Sequence, residues 1–306
     1  MNNEQIYDLI IIGGGPVGLY SAFIAGYLKL KTLCIEADDF LGGQPYKVYP
    51  NKLIHDFPGY SEIKARDLID NLVKQIKQFP NYSEIKTKVK IMSYETLEDG
   101  TICLVDSELN KYLTKHVLLT VGIGAFEPMK LEDFSKSHNH HKVRYNLEDD
   151  ETYNDKNVLV LGGGDAAVDY AYHIKTHSNA NVTIAHRRDV FRANGLGIED
   201  LQNQNINVIL NATLTQWHED YCEFNTPEFE NLQVPYDILL IQYGLKNLGS
   251  IVHTWQDFQK DKNKFIVNEM YETNVPNFFA AGNCIHDENR INMIITGISE
   301  ATIVLN

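Results

Sequence analysis

The 306-residue sequence is long enough for about two domains, each with its own hydrophobic core. Its net charge of −14 argues against binding of DNA or RNA, because neutralising phosphates supplies most of that affinity. No apolar run approaches the roughly 20 residues of a membrane span, and no basic region precedes the short apolar stretch near the N-terminus, so we expect a cytoplasmic protein without a membrane anchor or export signal.

The N-terminal segment predicts a β-α-β unit. The apolar run from Ile6 to Ile12 is typical of a buried parallel strand. Helical spacing of apolar residues follows from Pro16 to Lys29, and a second strand is predicted from Lys31 to Glu36. Two parallel strands joined by a helix form the unit in which dinucleotides bind.

A Gly-x-Gly-x-x-Gly pattern lies between these two strands. Gly13 allows a tight turn, Gly15 lets the backbone approach a pyrophosphate, and Gly18 lets the helix pack on the strand. Pro16 opens the helix, whose free N–H groups attract a phosphate. Glu36 closes the second strand, where a carboxylate accepts hydrogen bonds from ribose hydroxyls. The unit therefore predicts a site for FAD or NAD.

A second unit of the same kind starts about half-way along the chain. A strand is predicted from Asn157 to Leu161, a helix ends at about Thr176, and another strand runs from Asn181 to His186. The turn and helix start between them carry the cofactor-binding candidates Gly162, Gly164, Asp165 and Ala167. The repeat predicts a second dinucleotide site.

The charge at the end of this second unit is opposite to that of Glu36. The residues expected near the adenosine ribose are His186, Arg187, Arg188 and Arg192. Guanidinium groups suit a 2′-phosphate, because they form charge-assisted and often bidentate hydrogen bonds with it. An exposed basic turn that binds no ligand is the alternative interpretation.

The two units together predict a function. The second site is expected to take NADPH, and the first a cofactor with a free ribose hydroxyl. Two nucleotide sites of opposite ribose chemistry on one chain predict an enzyme that passes a hydride between a pyridine nucleotide and a flavin.

The segments outside the two units are suited to surround a flavin. Residues 41–59 combine a flexible turn at Gly42 and Gly43 with the amide of Gln44 and several aromatic rings. Near the C-terminus, a predicted strand precedes Gly282 and Asn283. Further strands are predicted from Lys86 to Tyr94, from Thr101 to Asp106 and from Lys115 to Val121, and a helix from Ile291 to Leu305.

Short motifs spread along the chain carry a family resemblance. They are GGGPVGLY, LGGQ, VYPNKLIHDFPG, GIGAFEP, LGGGDAAVD, HRRDVFR, IQYGL and FFAAGN. Over nearly its whole length, the sequence resembles the thioredoxin-reductase-like ferredoxin/flavodoxin–NADP⁺ oxidoreductases. The resemblance implies FAD contacts by Glu36, Gln44, Tyr49, Val89, Phe126 and Asn283. It also implies that Tyr49 stacks on the flavin, that the NADP domain is mobile, and that a homodimer reduces ferredoxin or flavodoxin.

The sequence departs from the family pattern at two places. Asn283 stands where the family usually has Asp, and an amide oxygen can still accept a hydrogen bond from a ribityl hydroxyl, with a weaker interaction. Family members continue past the position of Asn306 with a tail that covers one face of the flavin. We therefore expect that face to be open to small acceptors and to oxygen.

The number and spacing of the cysteines argue against other functions that related proteins have. The four cysteines form no C-x-x-C pair and no zinc spacing, so a thioredoxin reductase and a metal site are not expected. Low-molecular-weight disulfide reductases have a cysteine at the position of Val17. Cys284 is expected to be a small buried hydrophobic residue rather than a redox thiol. An NADPH-dependent flavin, quinone or disulfide reductase remains an alternative, as does a non-catalytic NADP(H) sensor.

The predicted fold class is α/β, with two Rossmann-like dinucleotide-binding domains of the three-layer ββα type. Residues 1–115 and 248–306 are predicted to bind FAD, and residues 116–247 to form an inserted NADP domain. Hydride transfer needs no general acid or base, so no side chain is assigned a catalytic proton transfer.

Overall fold

A computed structural model describes residues 5–130, 140–193 and 197–306. The chain forms two compact units, of which the first extends to Ala125 and resumes with Asn247–Asn306, and the second is Phe126–Lys246. The predicted boundary at residue 115 falls inside a strand of the first sheet, Lys111–Leu119, about ten residues before the first unit is interrupted.

The described residues form the following elements. The α-helices are α1 (Pro16–Tyr27), α2 (Gly43–Lys47), α3 (Ala65–Ile76), α4 (Asp165–His177), α5 (Ile198–Asn203) and α6 (Ile294–Val304). The first eight strands in chain order are β1 (Ile6–Ile12), β2 (Thr32–Ile35), β3 (Leu53–Ile54), β4 (Ile63–Lys64), β5 (Ser83–Lys86), β6 (Ile91–Thr96), β7 (Ile102–Asp106) and β8 (Lys111–Leu119).

The remaining strands follow in chain order. They are β9 (Ala125–Pro128), β10 (Val143–Arg144), β11 (Asn157–Gly162), β12 (Asn181–Ala185), β13 (Asn207–Ile209), β14 (Thr213–Trp217), β15 (Tyr221–Asn225), β16 (Leu232–Pro235), β17 (Ile238–Gln242), β18 (Leu245–Gly249), β19 (Lys260–Asp261), β20 (Lys264–Phe265) and β21 (Phe278–Ala280). Short 3-10 helices lie at His140–Lys142, Asp150–Tyr153 and Ile251–Thr254.

The first unit is built on one mixed sheet with strand order β5-β2-β1-β8-β7-β6. β5, β2, β1 and β8 are parallel, whereas β8, β7 and β6 form an antiparallel meander. The first half of β8 pairs with β7 and its second half pairs in parallel with β21. The C-terminal part of the chain thereby adds a strand to the N-terminal sheet.

Both faces of this sheet are covered by apolar residues. On one face, side chains such as Ile11 pack against α1, α3 and α6. On the other face, side chains such as Ile10 pack in a second cluster with Trp255, Phe258 and Phe278. Continuous apolar strands such as β1 are expected where a parallel sheet is buried on both faces.

The second unit has a five-stranded parallel sheet with strand order β10-β17-β11-β12-β13. Helix α4 packs on β11 and β12. A three-stranded antiparallel sheet, β14-β15-β16, shares an apolar cluster with the parallel sheet that includes Leu159, Trp217, Phe224 and Leu239. This helix, sheet and sheet arrangement is the predicted ββα type.

One predicted strand is wrong. The segment from Lys86 to Tyr94 is divided into β5 and β6, because the chain turns between them. Lys88 has a φ of 61°, and its N–H donates to the Asp38 carbonyl oxygen at 2.9 Å. The pattern of apolar residues could not show this turn, since the hydrogen bond that fixes it comes from a distant part of the chain.

No helix in the described ranges has the length and apolar composition needed to cross a membrane.

Candidate cofactor-binding sites

The first predicted cofactor site lies at the carboxyl ends of three adjacent parallel strands. β1, β8 and β21 end in register, with Ile12 opposite Leu119 and Leu119 opposite Ala280. The glycine turn follows β1, and Gly282 and Asn283 follow β21. Ligands of open α/β sheets bind in the crevice outside the carboxyl ends of the strands. The sheet therefore brings together two predicted segments that are far apart in sequence.

Close backbone contacts require two glycines of the first turn. A Cβ atom on Gly18 would lie 1.9 Å from the carbonyl oxygen of Gly13, and one on Gly13 would lie 2.5 Å from that of Thr120. Gly13 also has a φ of 114°, which residues with side chains rarely adopt. The start of α1 is therefore packed directly on the end of β1.

Gly15 differs from these glycines because the space beside it is open. A Cβ atom on Gly15 would meet no described atom within 4 Å, and its φ of −72° is accessible to any residue. Gly15 is the N-cap of α1, where the described residues supply no side-chain cap, and Pro16 is the first helical residue. An uncapped helix N-terminus beside open space fits a pyrophosphate.

Glu36 lies beside the same turn, where backbone groups hold its carboxylate. Its Oε2 accepts a hydrogen bond from the Gly14 N–H at 2.8 Å, and its Oε1 accepts one from the Asp38 N–H at 2.9 Å. Burial raises the pKa of the Glu36 carboxyl, against the opposing effect of these donors. Val89 is fixed next to Glu36, because its N–H donates to the Glu36 carbonyl oxygen at 3.0 Å.

The segment after β2 folds back onto the glycine turn. The Gly42 N–H donates to the Gly14 carbonyl oxygen at 2.7 Å, and a Cβ atom on Gly43 would lie 3.3 Å from the Cα atom of Gly15. Gly43 begins α2, which also carries the half-buried Gln44. The structure therefore brings Gly43 to the first turn, and Gln44 follows it in the same helix.

The structure places one of the two aromatic residues predicted for this site. Tyr49 follows α2, and burial raises the pKa of its hydroxyl to about 12. It packs, together with Phe57 and Ile294, against a cluster formed by Ile54, Ile63, Ala65 and Leu68. Because Ile294 begins α6, the cluster joins Tyr49 to the helix that follows Asn283. Phe126 belongs to β9, and its side chain lies outside the described residues.

A buried ion pair that the sequence analysis missed holds Gly282 and Asn283. The Gly282 N–H donates to Glu300 Oε2 at 2.7 Å. Arg290 Nε donates to Glu300 Oε1 at 2.6 Å, and Arg290 Nη1 donates to Asn283 Oδ1 at 2.8 Å. Glu300 is the one charged residue of the apolar helix α6, and that isolated charge was the available sequence signal.

The cysteines are placed as small buried residues. Cys34, Cys103, Cys222 and Cys284 are all free and buried. Burial raises the pKa of the Cys34, Cys222 and Cys284 thiols to about 12, so these thiols are protonated at neutral pH. Cys284 donates to the carbonyl oxygens of Leu119 and Ala281.

The second glycine turn repeats the geometry of the first at the end of β11. Gly162 has a φ of 154°, and a Cβ atom there would lie 2.4 Å from the Gln242 carbonyl oxygen and 2.9 Å from Ala167 Cβ. A Cβ atom on Gly164 would meet no described atom within 4 Å. Asp165 is the first residue of α4. The open position at the second glycine again fits a dinucleotide.

His186 lies directly on this turn. A Cβ atom on Gly163 would lie 2.4 Å from the imidazole of His186, and the Arg192 N–H donates to the Gly163 carbonyl oxygen at 2.7 Å. Burial, followed by the positive charges of Arg192, Arg188 and Arg187, lowers the pKa of His186. Its buried Nε2 has no hydrogen-bond partner among the described residues. The imidazole of His186 thus packs against the turn with its Nε2 atom buried.

Three arginines follow His186 at the surface. Arg187, Arg188 and Arg192 are exposed, and none forms an ion pair with a described carboxylate. The backbone around them is fixed, because the Arg188 carbonyl oxygen accepts from the Asn211 N–H at 3.0 Å. Unpaired guanidinium groups on a fixed turn fit a dianionic group such as a phosphate.

Comparison with known proteins identifies the family. Residues 7–301 match the family model of the pyridine nucleotide-disulphide oxidoreductases. A protein named ferredoxin–NADP reductase from Malacoplasma penetrans is 34% identical, over 98% of this chain and 96% of the relative. One named ferredoxin–NADP reductase 2 from Shouchella clausii is 35% identical, over 99% of this chain and 92% of the relative. These matches confirm the resemblance that the motifs carry.

A solved structure supports the fold. The thioredoxin reductase of T. acidophilum has a TM-score of 0.76 and 20% sequence identity, and the match covers 99% of this chain and 97% of that one. At that identity the likeness concerns the fold alone, and it confirms the predicted class. The chain belongs to the pyridine nucleotide-disulphide oxidoreductase family and is an FAD-dependent oxidoreductase.

Proposed function

We propose that this chain oxidises NADPH, receives the hydride on a bound FAD and passes single electrons to a ferredoxin or flavodoxin. The observation that carries the proposal is the opposite chemistry of the two turns. In both turns, the space beside the second glycine is open and lies at a helix N-terminus. Glu36 lies beside the first turn, whereas exposed arginines lie beside the second. A free ribose hydroxyl suits the first site and a 2′-phosphate the second.

The first unit is assigned to FAD. Gly13, Gly15, Pro16 and Gly18 form the pyrophosphate turn, and Glu36 accepts from the adenosine ribose. Residues proposed to contact the rest of the cofactor are Gly43, Gln44, Tyr49, Val89, Phe126, Gly282 and Asn283. What supports this assignment is that Gly43 and Gly282 lie against Gly15 and Val17 at this turn, and that Val89 is hydrogen-bonded to Glu36.

The second unit is assigned to NADPH. Gly162, Gly164, Asp165 and Ala167 form its turn, and His186 lies beside the nucleotide, with its imidazole packed against Gly163. Arg187, Arg188 and Arg192 bind the 2′-phosphate. None of the three guanidinium groups forms an ion pair with a carboxylate of the described residues, and this supports the assignment.

The chemistry then depends on binding and orientation. When bound, the two cofactors supply hydride transfer and one-electron release. The chain's residues hold each dinucleotide at its helix N-terminus and fix the ribose, and no side chain has to move a proton. Alignment of the two reacting rings lowers the barrier, because the encounter no longer costs translational and rotational entropy.

The acceptor is proposed from the relatives and from the cysteines. The two relatives described above carry the name ferredoxin–NADP reductase. A disulfide relay within the chain is disfavoured, since all four cysteines are buried and none forms a disulfide. Electrons must then pass directly from the flavin to the acceptor. We extend the proposal to a homodimer, which the family resemblance implies.

The first prediction separates cofactor binding from folding. Gly15→Ala should lower the FAD affinity of the apoprotein at least about tenfold, because the new methyl group occupies the space proposed for the pyrophosphate, and overpacking costs about 1–3 kcal/mol. Its free energy of unfolding, measured in urea, should change by less than about 1 kcal/mol. Gly18→Ala is the matched variant and should lose about 1–3 kcal/mol of stability. Unchanged FAD affinity in Gly15→Ala would contradict the assignment of this turn.

The second prediction concerns pH. Burial raises the pKa of Glu36 in the apoprotein, while FAD binding requires its carboxylate form, so FAD binding is linked to loss of a proton. The affinity should fall as the pH drops through the raised pKa and reach a plateau above it. Protonation replaces a charge-assisted hydrogen bond with a neutral one, so the FAD affinity should fall about tenfold.

The measurement is a titration of apoprotein with FAD at a series of pH values. Glu36→Gln should bind FAD more weakly, and its affinity should depend less on pH. A profile in Glu36→Gln as steep as that of the unmodified protein would rule out this role.

The third prediction concerns the choice of nucleotide. Replacing Arg187 and Arg188 with Ala should lower kcat/KM for NADPH by the equivalent of about 1.5–3 kcal/mol for the lost charged hydrogen bonds, with little effect for NADH. Lys175→Ala, in the last turn of α4, is a control for loss of positive charge from the same unit. Equal kcat/KM for NADPH and NADH in the unmodified protein would show that the arginines do not select the nucleotide.

The fourth prediction identifies the acceptor. Steady-state NADPH oxidation should be fast with ferredoxin or flavodoxin and absent with thioredoxin and low-molecular-weight disulfides. Cys284→Ala should retain the rate, because the thiol takes no part. Preferential reduction of a disulfide would favour the alternative reductase, and a single reduction of the flavin without turnover would favour the sensor.

A further inference from the structure

The ion pair between Arg290 and Glu300 is almost completely buried, which is unusual for two charged side chains. Their side chains are only 3% and 4% exposed, and Glu300 lies on the otherwise uncharged, mainly apolar helix α6. Burying two charges costs several kcal/mol per ion, and a well-packed hydrophobic pair is often at least as stable. Stability alone therefore does not explain the pair, and its contacts with Gly282 and Asn283 indicate another role.

The pair lies against the proposed FAD site. A Cβ atom on Gly297 of α6 would lie 3.1 Å from the Cα atom of Gly282 and 2.6 Å from Val17 Cγ2. Val17 belongs to the first turn of α1, directly after Gly15 and Pro16. Glu300, one turn further along α6, accepts the Gly282 N–H. The ion pair therefore supports the loop that faces the first glycine turn.

The hydrogen bonds of Arg290 determine how Asn283 is oriented. A guanidinium group has only donors, so only the oxygen of a carboxamide can face it. Arg290 Nη1 donates to Asn283 Oδ1 at 2.8 Å and to Asn292 Oδ1 at 2.9 Å. The Nδ2 group of Asn283 has no hydrogen-bond partner among the described residues. The amide oxygen, which the sequence analysis expected to accept from a ribityl hydroxyl, is thus engaged by Arg290, and Nδ2 is the free donor of this half-buried side chain.

We infer that Arg290, held by Glu300, is a positioning residue that fixes Asn283 as a hydrogen-bond donor to the bound FAD. This inference rests on the proposed function, which places FAD in the first site. The guanidinium charge is neutralised by Glu300, so the site gains an oriented donor without a net charge. An aspartate at position 283 would offer acceptor atoms only, and would compete with Glu300 for the guanidinium group.

The test measures FAD affinity of the apoprotein by fluorescence titration. Asn283→Ala should weaken binding roughly three- to tenfold, the range for one hydrogen bond. Asn283→Asp should weaken it at least as much, because the donor is lost. Since Arg290→Met alone leaves a buried carboxylate without its cation, it is made together with Glu300→Gln, which retains an acceptor for the Gly282 N–H. This pair should weaken binding by the same factor as Asn283→Ala.

The decisive result is the combination of all three substitutions. If Arg290 acts through Asn283, adding Asn283→Ala to the Arg290→Met/Glu300→Gln variant should cause no further loss. Arg290→Lys should recover part of the affinity, because an ammonium group can still donate to the amide oxygen. The control, Lys115→Met with Asp8→Asn, removes an exposed 2.7 Å ion pair of the same unit and should leave the affinity unchanged.

The outcomes distinguish this inference from the proposed function. Additive losses, or an Asn283→Asp variant that binds FAD as tightly as the unmodified protein, would overturn the positioning role while leaving FAD in the first site. No FAD binding by the unmodified apoprotein would overturn both. Melting temperatures of each variant show whether a loss of affinity follows from a loss of folding.

Discussion

Helix α1 approaches the end of β1 so closely that no side chain fits between them. With the Cβ position of Gly18 only 1.9 Å from the Gly13 carbonyl oxygen, the helix is fixed in direct backbone contact with the strand. That contact determines where the helix N-terminus lies and leaves the space beside Gly15 open. Three other features of the first site are arranged around this point: Glu36, the Gly42–Gly43 turn and the Gly282 loop each contact the turn or the first residues of α1.

In the second unit, α4 approaches the end of β11 in the same way, although the third position of the turn is an alanine rather than a glycine. Ala167 takes the place of the third glycine, and its Cβ lies 2.9 Å from the Cβ position of Gly162. The two units differ in the residues that follow the second strand of each, and the proposed difference in cofactor rests on them. A half-buried carboxylate is stabilised by two backbone N–H groups in the first unit, whereas exposed guanidinium groups stand on a fixed turn in the second. On the proposed assignment, one backbone geometry serves two nucleotides and the distinction between them is made by charge.

Local sequence patterns predicted the parts of the molecule that are determined locally. The β-α-β units follow from apolar periodicity and turn glycines, and strand β1 was placed with the bounds that the structure has. Features that depend on distant hydrogen bonds could not be predicted in this way. The turn at Lys88 is fixed by Asp38, and the domain boundary is shifted because β8 continues through residue 115 to pair with β21. Arg290 and Glu300 were missed for the same reason, since their meaning depends on Gly282 and Asn283 lying beside them.

The central claim is that two sites of opposite ribose chemistry serve one hydride transfer. The most direct measurement is an anaerobic titration of the purified protein with NADPH, followed in the visible absorption band of its bound flavin. The account predicts that a stoichiometric amount of NADPH removes the band rapidly and that the same amount of NADH does so far more slowly. A flavin band that persists in excess NADPH, yet disappears when dithionite is added, would contradict the account.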